Sequence, residues 1–354
     1  MSMRAIGGAV GAVVLGVVAY LAAWPVPVDP ETWSPPADVG LTGRFKPTGD
    51  FAGAQVLPVG KAPEDVAVGP DGRVWTGLAD GRIMRWDADG KGPVEVVNTG
   101  GRPLGLRFAP DGRLIVADTK LGLLAITQDG AVEVLANQVD GRPLVFADDL
   151  DVSSTGVVWF SDASAKFTQR DYKLDMLESR PNGRLMTYDL NTHQSKTVVD
   201  KLYFANGVAL AADESFVLFN ETTRYRVQRL WLTGPKAGTQ DVLIDNLPGF
   251  PDGITRGDDG LFWIAIPSPR DAIVDGLAGS PALRKAVVRL PKFVQPAAKR
   301  HPIAIAVDAS GQVRRVLEDS HGAAFAVDTN VVVDRGALWM GSLEDSAIAR
   351  VPLK

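Results

Sequence analysis

What most constrains this chain is a meander that recurs. EDVAVGPDGRVWTGLADGRIMRWDADG, beginning at Glu64, is followed by LGLRFAPDGRLIVADTKLGLLAITQDG and then by DDLDVSSTGVVWFSD with a delayed GRLMTYDL. Each unit reads as a short apolar strand, a PDG-type turn, a second strand rich in Val, Ile and Trp, another turn and a third strand. Three further units follow: NGVALAADESFVLFNETTRYRVQRLWL, DGITRGDDGLFWIAI and AFAVDTNVVVDRGALWMGSLEDSAIARVPL. The unit starts, Glu64, Leu104, Asp148, Asn206, Asp252 and about Val327, lie 40, 44, 58, 46 and 75 residues apart. That spacing suits four-stranded blades with insertions, because a lone meander cannot bury both faces and must stack on its neighbours. The expected fold is all-β, a six-bladed β-propeller over residues 51–354. Trp75, Trp159, Trp263 and Trp339 recur on second strands as packing residues, and Gln55 to Val59 is expected to supply the last strand of the sixth blade.

Two stretches break the rhythm, at about 166–182 and 268–300, the second with the apolar spacing of short helices. Long inserts on rigid scaffolds cover binding faces or decorate surfaces, and a cap over the channel mouth is one expectation here. Phe167 and Tyr172, in the first insert, are candidates for a pocket entrance. Ahead of the repeats, Ala5 to Trp24 has no charged residue. Twenty helical residues span roughly 30 Å, a bilayer's hydrocarbon thickness. Residues 1–24 are therefore expected to form a retained transmembrane anchor, a cleaved signal peptide being the rival. Arg4 before the span places the amino terminus in the cytoplasm and the propeller outside it, in the periplasm of a Gram-negative cell. Residues 25–50, rich in proline, read as a stiff extended tether.

The net charge of −5 removes nucleic acid as a partner and leaves small molecules or proteins. With no cysteine, and histidines only at 193, 301 and 321, thiolate chemistry is excluded and a zinc site poorly supported. Oxygen chemistry is left. In a propeller the first strand of each blade lies nearest the axis. Setting APEDVAV, GRPLGLRF, FADDLDV, FANGVAL, FPDGITR and the weaker AFAVDTNVVV around Asp328 in register points Glu64, Asp148, Asn206 and Asp252 at one axial spot. A single acid there reads as a turn former, as Asp118 and Asp162 do after second strands. The set does not, because at roughly 4 Å and an effective dielectric near 20 each carboxylate pair costs about 4 kcal/mol. Protons or a cation must offset that, and oxygen-only ligands select Ca2+ before Mg2+. Asp149 should diverge from Asp148 and orient one of the neighbouring ligands from behind it, while Asp151 is structural. His321 is a candidate to reach the pocket from the sixth blade.

GRPLGLRF, LIVADTKLGLLAI, FADDLDV, VVWFSDAS, FANGVAL, ETTRYRVQRLWLTGPKAGT, LPGFPDGI and LWMGSL make the chain resemble, from about Gly60 onward, the strictosidine synthase-like branch of six-bladed propellers. That group also includes gluconolactonase/regucalcin, paraoxonase and adipocyte plasma membrane-associated protein. The resemblance implies calcium ligands at Glu64, Asp148, Asn206 and Asp252. Two positions depart from the pattern: Asp148 stands where asparagine is frequent, and Gly253 where a second asparagine is. A paraoxonase-type histidine would fall at Leu104 and is absent. The glutamate of true strictosidine synthases would fall near Thr329, which argues against amine–aldehyde condensation. The leading expectation is a Ca2+-dependent hydrolase of lactones or related esters, with Asp252 as ligand and base and Asp148 as the competing base. The alternative is a non-catalytic, membrane-anchored propeller that binds a small molecule, lipid or protein partner.

Overall fold

A computed structural model describes residues 3–86, 92–320, 325–326 and 328–353. Six antiparallel sheets, each with four meander strands, stand around an axis. Their first strands are Val66–Val68, Pro103–Phe108, Ala147–Val152, Ala205–Leu210, Ile254–Arg256 and Asp328–Asp334. These neighbour one another around the ring. Gln55–Pro58 pairs with Ala347–Pro352 as the outermost strand of the sixth blade, so the chain's beginning and end close the circle together. The fifth blade gains an extra short strand, Gly49–Asp50, parallel to Val313–Glu318. The PDG turns work because Gly72 and Gly112 take φ of 79° and 86°, a region a Cβ disfavours.

Apolar side chains fill the spaces between blades. Trp75 and Trp263 are fully buried, while Trp159 and Trp339 are half-buried at the same second-strand position. The first insert holds helix α2 (Tyr172–Glu178), and the second holds α3 (Ala272–Leu277), α4 (Pro281–Arg289) and a 3-10 turn at Lys292–Val294. Both lie over one end of the axial channel, where residues of each line the same cavity.

A helix, α1 (Met3–Ala23), forms where the membrane span is expected. Among the described residues, however, no helix is long and apolar enough to cross a membrane, so the transmembrane assignment is not supported. Residues 25–50 are extended apart from a 3-10 turn at Gly43–Phe45, and they are docked. Glu31 N donates to Glu178 O at 3.1 Å and Trp33 N to Ala278 O at 3.3 Å. Arg270 and Asn246 donate to the carbonyls of Pro36 and Ala37. The Trp33 ring lies under the Arg224 guanidinium, 4.4 Å away, and Phe45 is fully buried between blades four and five.

Candidate functional site

Four of the six first strands begin with the same irregularity. The pairing register slips between Pro103 and Leu106, Ala147 and Leu150, Ala205 and Val208, and Asp328 and Val331. Such a bulge re-aims two consecutive side chains. Its first residue turns to the axis: Leu104, Asp148, Asn206 and Thr329, joined by Glu64 and Asp252 from just ahead of the two shorter strands, all line one cavity. Its second residue turns to the neighbouring blade. Asp149 Oδ1 accepts from Leu150 N and its Oδ2 from Val208 N, at 2.8 and 2.9 Å. Asp65 does the same with Val66 N and Leu106 N, and Asp151 with Val152 N and Leu210 N. Asp149 thus pins the strand that carries Asn206. Glycine at the second position elsewhere makes room: a Cβ on Gly207 would meet the backbone at Asp252 and Ile254.

The leading ends of these strands are themselves tied down. Asp118, Asp162 and Glu221, at the ends of second strands, accept from the amides of Arg102, Phe146 and Tyr203 at 2.9, 2.7 and 2.9 Å. Asp162 is also ion-paired with Arg184 at 2.6 Å, both fully buried. Asn220 Nδ2 and Thr222 Oγ1 hold the carbonyls of Asp252 and Pro251.

The cavity encloses about 1120 Å³ of empty space, part of it open to solvent. Its walls are apolar: Phe146, Phe204, Phe250, Tyr172, Met176 and Val274 stand above the acidic floor. Phe146, Phe204 and Phe250 each lie two residues before Asp148, Asn206 and Asp252, so FAD, FAN and FPD carried a signal for the wall that the sequence reading did not use. Arg102 holds the same place before Leu104 and was also missed. It is buried, donates to Ala62 O at 2.9 Å, and its charge opposes the rise in the Glu64 and Asp148 carboxyl pKa values. Phe167 is buried within the first insert and is not part of the wall; His321 lies outside the described residues. Asp328, directly opposite Ser342, is fully buried with neither carboxylate oxygen hydrogen-bonded, and Thr329 faces the cavity in its stead.

Burial, then the charges of Asp252 and Asp148, holds the Glu64 carboxyl well above the usual range. Burial and then Asp252 do the same to Asp148, whose Oδ2 is buried with no hydrogen-bond partner. Asp252 is pushed up to about 7 by burial, against the pull of Asn206, whose Nδ2 donates to its Oδ1 at 2.5 Å. Among the described residues no group of three or more His, Cys, Asp or Glu is gathered closely enough to form a ready-made metal cage. The donor chemistry nonetheless fits a hard cation: the buried carboxyls of Glu64 and Asp148, the latter with an orphaned Oδ2, the half-buried carboxyl of Asp252, and the amide oxygen of Asn206 beside the Nδ2 that donates to Asp252.

These features define a six-bladed propeller with a capped, acid-floored axial pocket. Solved structures similar to it share that fold: a gluconolactonase from Xanthomonas campestris (TM-score 0.61, 14% identity, 94% of this chain and 98% of that one) and a calcium-binding regucalcin from Agrobacterium tumefaciens (0.57, 12%, 84% and 94%). Family profiles described as strictosidine synthase and strictosidine synthase-like, N-terminal, match residues 148–235 and 43–86. Protein strictosidine synthase-like 3 of Arabidopsis thaliana is 35% identical over 82% of both chains. Adipocyte plasma membrane-associated protein of Salmo salar is 33% identical over 92% of this chain and 84% of its own. The chain belongs to the strictosidine synthase-like family.

Proposed function

We propose that the protein is a Ca2+-dependent hydrolase of lactones or related esters. The observation that carries this reading is the convergence of Glu64, Asp148, Asn206 and Asp252 on the floor of an otherwise apolar pocket. Those four side chains are the ones to hold the ion, which when bound supplies polarisation of the substrate carbonyl and a counter-charge for the oxyanion. The aromatic wall takes the substrate's apolar portion and keeps water from it. Asp252 accepts the proton of the attacking water, its carboxyl rotation fixed by Asn206. Asp148, with its unbonded Oδ2, is the competing base. The shared architecture with a gluconolactonase supports this chemistry at the level of fold. Relatives named adipocyte plasma membrane-associated protein support attachment to a membrane, and we assign that attachment to α1.

The test is hydrolysis across a panel of lactones and aryl esters, with and without chelator, for the natural chain and Asp252→Ala. Chelator-sensitive turnover that Asp252→Ala abolishes, with the melting transition kept, supports the reading. Turnover that survives both treatments overturns it. A melting temperature raised by calcium with no turnover anywhere in the panel assigns the pocket to binding alone.

A further inference from the structure

The second insert carries more apolar surface than its packing uses. Ile273, Leu283, Phe293 and Val294 are 62%, 54%, 88% and 52% exposed. Single exposed apolar residues are ordinary, but four on one insert are not. This insert is also where α1 joins the propeller. Arg289 donates to the carbonyls of Leu21 and Trp24, both at 2.6 Å, and accepts from the Tyr20 hydroxyl at 3.1 Å. Tyr20 and Trp24, themselves exposed, meet as tilted rings 5.7 Å apart at the end of an apolar helix, the place where aromatic side chains gather at a bilayer surface. Phe293 follows Arg289 by four residues and so lies within about 14 Å of that junction even if the chain were fully extended.

Charge agrees with apolarity. From Gly276 to Val307 the sequence has Arg284, Lys285, Arg289, Lys292, Lys299 and Arg300 and no acid, in a chain of net charge −5. Lys285, Lys299 and Arg300 reach Asp29, Asp271 and Asp345, which trims the excess, but Lys292 stands directly beside Phe293. Basic residues interleaved with an exposed aromatic suit an anionic lipid surface. The next residues, Gln295 to Ala298, line the cavity.

We propose that the second insert is a lipid-docking surface, with Phe293 and Val294 set among the headgroups of an anionic bilayer and the pocket mouth held against the membrane. The pocket then draws an amphiphilic lactone or ester from the lipid rather than from water. This rests on the attachment through α1 inferred above.

The chain has no cysteine, so single sites can be labelled cleanly. Phe293→Cys carries an environment-sensitive fluorophore, and Gln128→Cys, exposed in the turn before the last strand of blade two at the opposite end of the propeller, is the control. Full-length protein is mixed with vesicles of phosphatidylcholine and phosphatidylglycerol containing a spin-labelled lipid. The expected result is co-sedimentation, with a blue shift and quenching at position 293 and neither at 128. Co-sedimentation with the 293 label still in water overturns the docking surface and leaves attachment through α1 standing. Protein that stays in the supernatant overturns both.

Discussion

The three acids of FADDLDV do two different jobs because the bulge separates them: Asp148 faces the cavity, Asp149 holds the Asn206 strand, and Asp151 repeats that brace two residues on. The cavity acids have a pH signature. Asp252 rises from 3.8 to about 7, and Glu64 and Asp148 rise with it. An acid whose folded pKa is raised contributes stability that is fully present below its unfolded pKa and is lost as pH climbs through the folded one. Chelator-treated protein should therefore melt highest in acid and lose melting temperature between about pH 4 and pH 7, the window set by Asp252. Asp252→Asn and added calcium should each flatten that decline in scanning calorimetry; a slope that neither alters would count against the acidic floor as its source. Asp149→Ala tests the brace, since it leaves the amides of Val208 and Leu150 without acceptors in a buried setting. Each such loss costs on the order of 1–3 kcal/mol, offset in part by removing a buried charge. The expected outcome is a lower urea midpoint together with weaker calcium binding, although Asp149 does not face the cavity.

At the level of elements, the bulged first strands build the site, and their tight side is glycine. Gly207→Ala puts a methyl group into the backbone of Asp252 and Ile254, which cannot yield as a flexible side chain would. Overpacking of this kind costs typically about 1–3 kcal/mol, so the urea midpoint should fall, and Asp252 should be displaced enough to depress turnover more than stability alone explains. The cap has its own titration. Asp175 on α2 is fully buried, accepts from Ser164 and Asn182 through Oδ2, leaves Oδ1 unbonded, and is raised to about 6 by burial. Asp175→Asn should thus leave acid stability unchanged and raise the melting temperature above about pH 6, measured across a pH series. The repeats made the blades legible, since PDG turns and alternating apolar runs report local geometry. The axial set Glu64, Asp148, Asn206 and Asp252 was legible from register alone. The aromatic wall and Arg102 were not read, because their direction depends on how the preceding loop is tied by Asp118, Asp162 and Glu221 of the same blades. The docking of residues 25–50 was hidden for another reason: a proline-rich segment has no periodicity, and its partners are carbonyl contacts with Arg270, Asn246 and Arg284 far along the chain.

For the whole molecule, stability depends on closing the ring. Blade six draws three strands from the last residues of the chain and its fourth, Gln55–Pro58, from ahead of blade one. Without that strand, Ala347–Pro352 becomes an open edge whose unpaired amides and carbonyls invite association with other chains. The segment before it does separate work, since residues 29–37 fasten the two inserts to each other over the pocket. A graded series of truncations separates these roles. A chain starting at Val26 keeps strap and closure and should melt as the full chain does. One starting at Lys46 keeps the closing strand but loses the strap, so the propeller should still unfold cooperatively while the inserts become protease-sensitive and substrate binding weakens. One starting at Gly60 loses closure, and should elute as aggregate in size-exclusion chromatography with no cooperative calorimetric transition. If that last chain instead stayed monomeric and melted with the full chain, the sixth blade would be stable on three strands, and the pairing of Gln55 with Arg350 would be an ornament rather than the fastening of the ring.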